Sequence, residues 1–181
     1  HVLVVFDEAY SEYADSNDFI SGLKYLQQGK NVVVCHTFSK IYGLAALRIG
    51  YAFTTVEIAD AVKRVTEPFN VNLLAQKAAF AALDDSEHLQ ASRELNWQGK
   101  EYLYQQFDAM GLKYVPTQAN FIFLDTGKDC RQVFQRLLQL GVIVRTGDIF
   151  GYPTYLRVTV GTAEENTRFI HSLQSVLESL S

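Results

Sequence analysis

Several polar side chains follow directly after two apolar, β-branched runs, at the positions where buried strands would end. The first run, residues 2–6, leads into Asp7 and Tyr10, and the second covers residues 32–35. The polar residues after the second run are Thr37, Ser39 and Lys40. Ligands of open α/β sheets bind beyond the carboxyl ends of the strands. If both runs are parallel strands of one sheet, these side chains meet at one edge.

Each of these side chains has an ordinary structural role when it is considered alone. Asp7 is typical of a helix cap or a loop carboxylate, Lys40 of a solvated surface lysine, and Tyr10 of half-buried packing. Thr37 and Ser39 are typical of turns. A functional interpretation therefore depends on the order and spacing of these residues taken together.

That spacing resembles a known family of enzymes. Residues 36–51, which read HTFSKIYGLAALRIGY, resemble the cofactor-lysine signature of the fold-type-I pyridoxal-phosphate (PLP) aminotransferases. In that family a serine precedes the lysine and an arginine lies eight residues after it, as Arg48 follows Lys40. The family also has an aspartate with a tyrosine three residues later, as in Asp7 and Tyr10.

The resemblance implies PLP as the cofactor and a role for each matched residue. Lys40 would carry the cofactor as a Schiff base and then move a proton between the substrate Cα and the cofactor C4′. Asp7 would pair with the pyridine nitrogen, which favours the protonated ring that draws electrons strongly. Tyr10 would hydrogen-bond the phenolic oxygen of the ring. The residues implied to hold the cofactor phosphate are Thr37, Ser39 and Arg48.

Within the family, the chain most resembles the histidinol-phosphate aminotransferase branch. The segments that carry this resemblance are residues 67–70 (EPFN), 119–122 (ANFI) and 155–162 (YLRVTVGT). In the wider family the arginine matching Arg157 binds the substrate carboxylate. The branch has a second arginine on the preceding strand, which Arg145 matches. Two guanidiniums suit a phosphate dianion, so the resemblance implies that Arg145 and Arg157 bind the substrate.

The elements that must position these residues follow from apolar periodicity and capping signals. The predicted strands are residues 2–6 and 32–35, both buried on two faces, then 47–53, 112–115, 120–124, 142–145 and 155–160. The predicted helices are residues 19–27, 55–67, 72–83, 86–110, 130–140 and a last one after Thr162. Thr54 with Glu57, and Thr162 with Glu165, have the spacing of capping boxes.

The resemblance implies an α/β fold of the PLP-dependent transferase type I. Residues 1–85 would be the C-terminal part of the large PLP-binding domain, 86–111 an interdomain helix, and 112–181 the small C-terminal domain. The chain begins inside an apolar run, and the family's glycine-rich phosphate cup and its ring-stacking aromatic residue precede the position of Asp7. We therefore expect the sequence to be a portion of a longer enzyme, unable to complete the site alone.

Composition narrows the classes of partner. The net charge is −4 and the basic residues are scattered, which argues against nucleic acid or a membrane surface as a partner. No apolar run approaches the length of a membrane span. Cys35 and Cys130 lack metal-type spacing, so we expect no metal and a reducing, cytoplasmic setting. The expected partners are a small-molecule substrate and, for the full-length protein, a second copy in a homodimer.

Amino transfer between L-histidinol phosphate and a 2-oxo acid such as 2-oxoglutarate is the function that the resemblance implies. Two alternatives keep the cofactor and change the substrate: an aromatic amino-acid aminotransferase and a threonine-phosphate decarboxylase. A third alternative, from another class, is a non-catalytic binding or scaffold module with the same fold. The presence of Lys40, Asp7 and Arg48 argues against this module, because loss of catalysis would remove such residues first.

Overall fold

The structure, a computed structural model, describes residues 2–180. The chain divides into two compact units, His1–Arg93 and Glu94–Ser181, and each contains its own sheet. The division falls inside a long helix, Ser86–Ala109. Among the described residues, no helix is long and apolar enough to cross a lipid bilayer.

The sheet of the first unit has three strands in the order β1-β2-β3. They are β1 (Val4–Asp7), β2 (Val32–Thr37) and β3 (Gly50–Phe53). β1 and β2 are parallel, with Asp7 opposite Cys35, and β3 is antiparallel to β2. The predicted parallel pairing of the first two strands is confirmed, so their carboxyl ends lie at the same edge.

Burial differs between these two strands. Val32 and Val34 of the central strand β2 are buried, whereas Val4 and Val5 of β1 are 44% and 60% exposed. Within residues 2–180, β1 has one neighbouring strand, β2, so the predicted burial of β1 on two faces is not met in this part of the sheet. β3 is also shorter than predicted, because a 3-10 helix, Ala45–Leu47, precedes it.

Besides the N-terminal part of the long helix, the first unit contains α1 (Leu23–Gln27), α2 (Val56–Val65) and α3 (Leu73–Leu83). The side chain of Asn72 caps α3 by accepting from the backbone N–H of Ala75 at 2.8 Å. α2 is capped by Thr55 rather than Thr54, so the predicted capping box is wrong by one residue. The Thr54 hydroxyl instead donates to the Val32 carbonyl at 2.9 Å, which ties the start of α2 to the sheet.

The second unit has an antiparallel sheet in the order β4-β5-β7-β6. Its strands are β4 (Lys113–Val115), β5 (Phe121–Asp125), β6 (Arg145–Thr146) and β7 (Tyr155–Thr159). Its helices are the C-terminal part of α4 (Ser86–Ala109), α5 (Cys130–Gln139) and α6 (Ala163–Ser179). α6 begins with the predicted capping box, in which Thr162 and Glu165 bond each other's backbone N–H groups.

Residues 142–144 do not form the predicted strand, and β6 begins only at Arg145. α5 ends at a left-handed glycine, Gly141, with φ of +73°. The N–H of Val142 then bonds back to the carbonyl of Leu137 at 2.9 Å. Because this N–H closes the end of the helix, it is not available to a strand ladder. The apolar run at 142–144 is thus a helix exit rather than a strand.

The sheet of the second unit has one face covered by helices and one face that carries the candidate arginines. Ile122 and Leu124 of β5 and Leu156 and Val158 of β7 are buried in the core. The helices contribute Leu103, Phe107, Val133, Leu137, Phe169, Ile170 and Leu173 to the same core. Since side chains alternate along a strand, Phe121, Phe123 and Arg157 lie on the opposite face.

Candidate active site

The carboxyl ends of β1 and β2 each lead into a turn stabilised by a side chain of the strand. Asp7 is the last residue of β1, and its Oδ1 accepts the N–H of Ala9 at 3.2 Å. Thr37 is the last residue of β2, and its Oγ1 accepts the N–H of Ser39 at 3.0 Å. The parallel pairing therefore places both turns at the same edge of the sheet.

Lys40 and Tyr10 are in contact at this edge. The Lys40 Nζ lies 5.2 Å from the centroid of the Tyr10 ring, within the range of a cation–π interaction. Both side chains are half-buried, so Lys40 is not a freely solvated lysine. The contact joins the segment after β1 to the segment after β2.

Arg48 reaches the serine that precedes Lys40. Its Nη1 lies 3.4 Å from the Ser39 Oγ and donates to the Ala45 carbonyl at 2.8 Å. Arg48 has φ of +54°, in the left-handed region that costs a non-glycine residue about 1 kcal/mol or more. This backbone conformation directs a permanent positive charge towards a hydroxyl. A guanidinium and a hydroxyl so arranged are suitable donors for an anion.

A buried polar cluster lies beside these residues, and sequence reasoning missed it. The His36 ring nitrogens lie between two carboxylates: Nε2 is 3.2 Å from Glu8 Oε2, off the line of a hydrogen bond, and Nδ1 is 3.5 Å from Glu12 Oε1. Glu8 also accepts from the Ser21 hydroxyl at 2.8 Å and from the Gly22 N–H at 2.6 Å. Glu8 and Glu12 flank Tyr10, so the cluster ties its loop to β2.

We expect His36→Leu to lower the free energy of unfolding of the full-length protein by about 3 kcal/mol. The reason is that two largely buried carboxylates lose the polar group that they share. Urea unfolding measures the change. The matched control is His88→Leu, because His88 bonds the backbone carbonyl of Ile41 at 2.9 Å rather than carboxylates, and its loss should cost only about 1 kcal/mol. If both variants lowered the free energy of unfolding equally, the His36 cluster would not contribute more to stability than an ordinary hydrogen bond.

Aromatic rings on β3 and on the loop that follows β2 pack near His36. His36 stacks on Tyr51 with ring centroids 5.1 Å apart, and Phe38 contacts both Tyr51 and Tyr42. Burial, with smaller contributions from Tyr42 and Glu12, raises the pKa of Tyr51 to about 12. Burial also raises the pKa of Tyr42. Both phenols therefore stay neutral at physiological pH and act as packing groups.

Arg145 and Arg157 are direct cross-strand partners in the second unit. In an antiparallel pair, opposite residues point to the same face of the sheet. The Arg157 guanidinium lies 4.0 Å from the centroid of the Phe121 ring, and that of Arg145 lies 5.3 Å from the centroid of the Phe150 ring. Like charges directly opposite each other are destabilising, and an anion held between them removes that cost.

Aromatic side chains surround this arginine pair, and their contacts were also not predicted. Phe123 stacks on Tyr155 at 4.7 Å between ring centroids and meets Tyr152 edge-on at 5.4 Å. Phe150 completes the group at 6.4 Å from Phe123. Phe123 is the cross-strand partner of Arg157, so the rings and the guanidiniums share one face. The sequence shows that residues 150–155 are rich in aromatic side chains, but it does not show which side chains they contact.

Comparison with known proteins identifies the family. Residues 1–173 match the family "Aminotransferase class I and II". Because this match covers almost the whole chain, the chain belongs to that family.

Individual relatives carry a more specific name. The chain is 59% identical over 177 residues to the histidinol-phosphate aminotransferase of Moorella thermoacetica, covering 97% of this chain and 46% of that protein. It is 49% identical over 176 residues to the enzyme of the same name from Caldicellulosiruptor saccharolyticus, covering 97% of this chain and 49% of that one. The chain thus spans about half the length of the curated relatives it matches.

A solved structure matches the fold. The crystal structure of histidinol-phosphate aminotransferase from Sinorhizobium meliloti in complex with pyridoxal-5'-phosphate superposes with a TM-score of 0.90 at 30% identity. The match covers 99% of this chain and 50% of that chain. The predicted α/β fold of the PLP-dependent type I transferases is confirmed.

Proposed function

We propose that this chain contributes the cofactor lysine and the substrate arginines of an enzyme that transfers an amino group between L-histidinol phosphate and 2-oxoglutarate. The observation that carries the choice of substrate is the cross-strand pairing of Arg145 with Arg157 on one face. The names of relatives at 59% and 49% identity support the same choice.

The residues of the first unit fit PLP as the cofactor. Its phosphate needs hydroxyl donors and a permanent cation, which Thr37, Ser39 and Arg48 provide within one short segment. Asp7 offers a carboxylate for the pyridine nitrogen at the same sheet edge as Lys40. When bound, PLP supplies an electron sink for the negative charge that develops at the substrate Cα.

Residues of this chain would hold and orient the cofactor, and they would also transfer protons. Lys40 would hold the cofactor through its Nζ, and the freed amine would then serve as the base and acid that moves the substrate proton. Tyr10 lies against Lys40, and its hydroxyl would donate a hydrogen bond to the phenolic oxygen of the cofactor. Asp7 would keep the pyridine nitrogen protonated, because a nearby anion favours the protonated ring.

Arg145 and Arg157 hold the phosphate of the substrate. A phosphate dianion gains from two guanidiniums, whereas a single carboxylate is served by one. The Phe121 ring packs against the Arg157 guanidinium and the Phe150 ring against that of Arg145. Both guanidiniums are therefore oriented before the substrate binds. The geometry therefore favours a donor with a phosphate over one with a carboxylate.

Arg145→Ala should impair phosphorylated donors selectively. Loss of one charged hydrogen-bonding partner costs about 1.5–3 kcal/mol, which is about 10- to 150-fold in kcat/KM for histidinol phosphate. The loss with phenylalanine should be much smaller, because Arg157 alone serves its carboxylate. The test compares both donors in steady-state assays of the full-length enzyme.

Equal losses on the two donors would remove the reason for preferring histidinol phosphate. An aromatic amino acid is then the next candidate donor, which the ring cluster around Phe123 and Tyr155 favours. A larger loss on phenylalanine would reverse the assignment.

The organisation of the full-length protein is also part of the proposal. We assign residues 1–85 to the large PLP-binding domain, 86–111 to an interdomain helix and 112–181 to the small domain. The full-length enzyme is proposed to be a cytoplasmic homodimer. Light scattering on the purified full-length protein should give twice the mass of one chain, and a monomeric mass would contradict this.

A further inference from the structure

The segment directly after β6, which we call the 147–152 turn, is held in one shape by its own backbone. Gly147 donates to the Tyr155 carbonyl at 2.7 Å, and its carbonyl accepts from Phe150 at 2.9 Å and from Tyr152 at 3.0 Å. A Cβ at Gly147 would lie 2.7 Å from the carbonyl oxygens of Tyr152 and Tyr155. The close approach explains why a glycine begins this turn.

An ion pair ties the turn to the start of α5. The Asp148 Oδ2 accepts from the Arg131 Nε at 2.7 Å and lies 2.6 Å from its Nη2. The Asp148 Oδ1 accepts from the Cys130 Sγ at 3.6 Å. A hydrogen bond from Thr146, followed by that from Arg131, lowers the pKa of Asp148 to about 2. The carboxylate therefore stays charged at every pH at which the enzyme would be assayed.

The ion pair is too exposed to matter much for global stability. The Arg131 side chain is 76% exposed, and exposed ion pairs contribute little to the free energy of unfolding. Its consequence is local: with Asp148 fixed, the short 3-10 helix Asp148–Phe150 presents the Phe150 ring to Arg145. The Arg131–Asp148 ion pair and the Phe150–Arg145 contact are thus joined by the backbone of this short helix.

We propose that Arg131 and Asp148 are positioning residues for substrate recognition. They fix the 147–152 turn so that the Phe150 ring holds the Arg145 guanidinium on the face that it shares with Arg157. This inference rests on the proposed function, in which Arg145 binds the substrate phosphate. Neither Arg131 nor Asp148 itself touches the substrate.

The test begins with Arg131→Gln in the full-length enzyme. The KM for histidinol phosphate should rise about 2- to 5-fold, the range that an exposed cation–π contact supports, with kcat unchanged. The KM for phenylalanine should not change. Arg136→Gln is the matched control, because Arg136 lies on the same helix but bonds the Ser179 hydroxyl at 2.6 Å. Equal KM changes for both variants, or none for Arg131→Gln, would overturn the proposal.

A double-mutant cycle separates this inference from the function on which it rests. If Arg131 acts through Arg145, Arg131→Gln should have no further effect on the KM for histidinol phosphate in an Arg145→Ala background. Additive effects would overturn the inference and leave the role of Arg145 intact. An Arg145→Ala variant with unchanged kinetics for histidinol phosphate would instead overturn the proposed function.

Discussion

Lys40→Ala in the full-length protein is expected to lower kcat by at least about 10³-fold, because the anchor of the cofactor and the proton-transfer group are lost together. The variant should also lose the visible absorbance of lysine-bound cofactor. Both readouts use the purified enzyme, with histidinol phosphate and 2-oxoglutarate as substrates for the rate.

The matched control for this variant is Lys63→Ala. Lys63 is 76% exposed and bonds only its helix neighbour Asp60, at 3.3 Å, among the contacts described for it. Its replacement should leave the absorbance and kcat unchanged. Turnover by Lys40→Ala within tenfold of the wild-type rate would mean that a different lysine carries the cofactor.

Asp7→Asn should retain the cofactor and its absorbance but lower kcat by about 10²-fold. The amide cannot hold a proton on the pyridine nitrogen as an anion does, so a charged hydrogen bond is lost. The fold should survive, because an asparagine Oδ1 can still accept the N–H of Ala9.

Asp125→Asn is a close structural control for this change. Asp125 also ends a strand, and its Oδ1 accepts the N–H of Gly127 at 3.0 Å, the same two-residue turn. If Asp7→Asn lowers kcat and Asp125→Asn does not, the loss of kcat is due to the missing negative charge at position 7. Near wild-type kcat in Asp7→Asn would contradict the role given to Asp7.

The local features of the fold could be predicted from the sequence. The apolar runs at 2–6 and 32–35 end at Asp7 and Thr37, and the two strands pair in parallel as expected. The Thr162 capping box forms because its two bonds join residues only three positions apart. Signals of this kind depend on neighbours along the chain, which the sequence displays directly.

Errors arose where a helix end or the arrangement of the strands overrides a local apolar pattern. Residues 142–144 have the composition of a strand, but the N–H of Val142 closes the end of α5. Val4 and Val5 have the pattern of core residues, yet among the described residues β1 has a neighbouring strand on one side only. Apolar composition indicates a preference for burial, while the number of neighbouring strands decides how much burial occurs.

The parts of the candidate site that were missed join residues far apart in sequence. His36 meets Glu8 and Glu12 only because β1 and β2 pair in parallel. Arg131 meets Asp148 only because the chain returns to the start of α5 after β6. No spacing rule connects such residues, so only the structure could bring them together.

The measurement that tests the central claim most directly is a donor panel on the purified full-length enzyme. Histidinol phosphate, phenylalanine and threonine phosphate would each be supplied with 2-oxoglutarate, and glutamate and carbon dioxide would be quantified. We expect glutamate formation with the highest kcat/KM for histidinol phosphate, and no carbon dioxide. A higher kcat/KM for phenylalanine, carbon dioxide release from threonine phosphate, or no glutamate from any donor would contradict it.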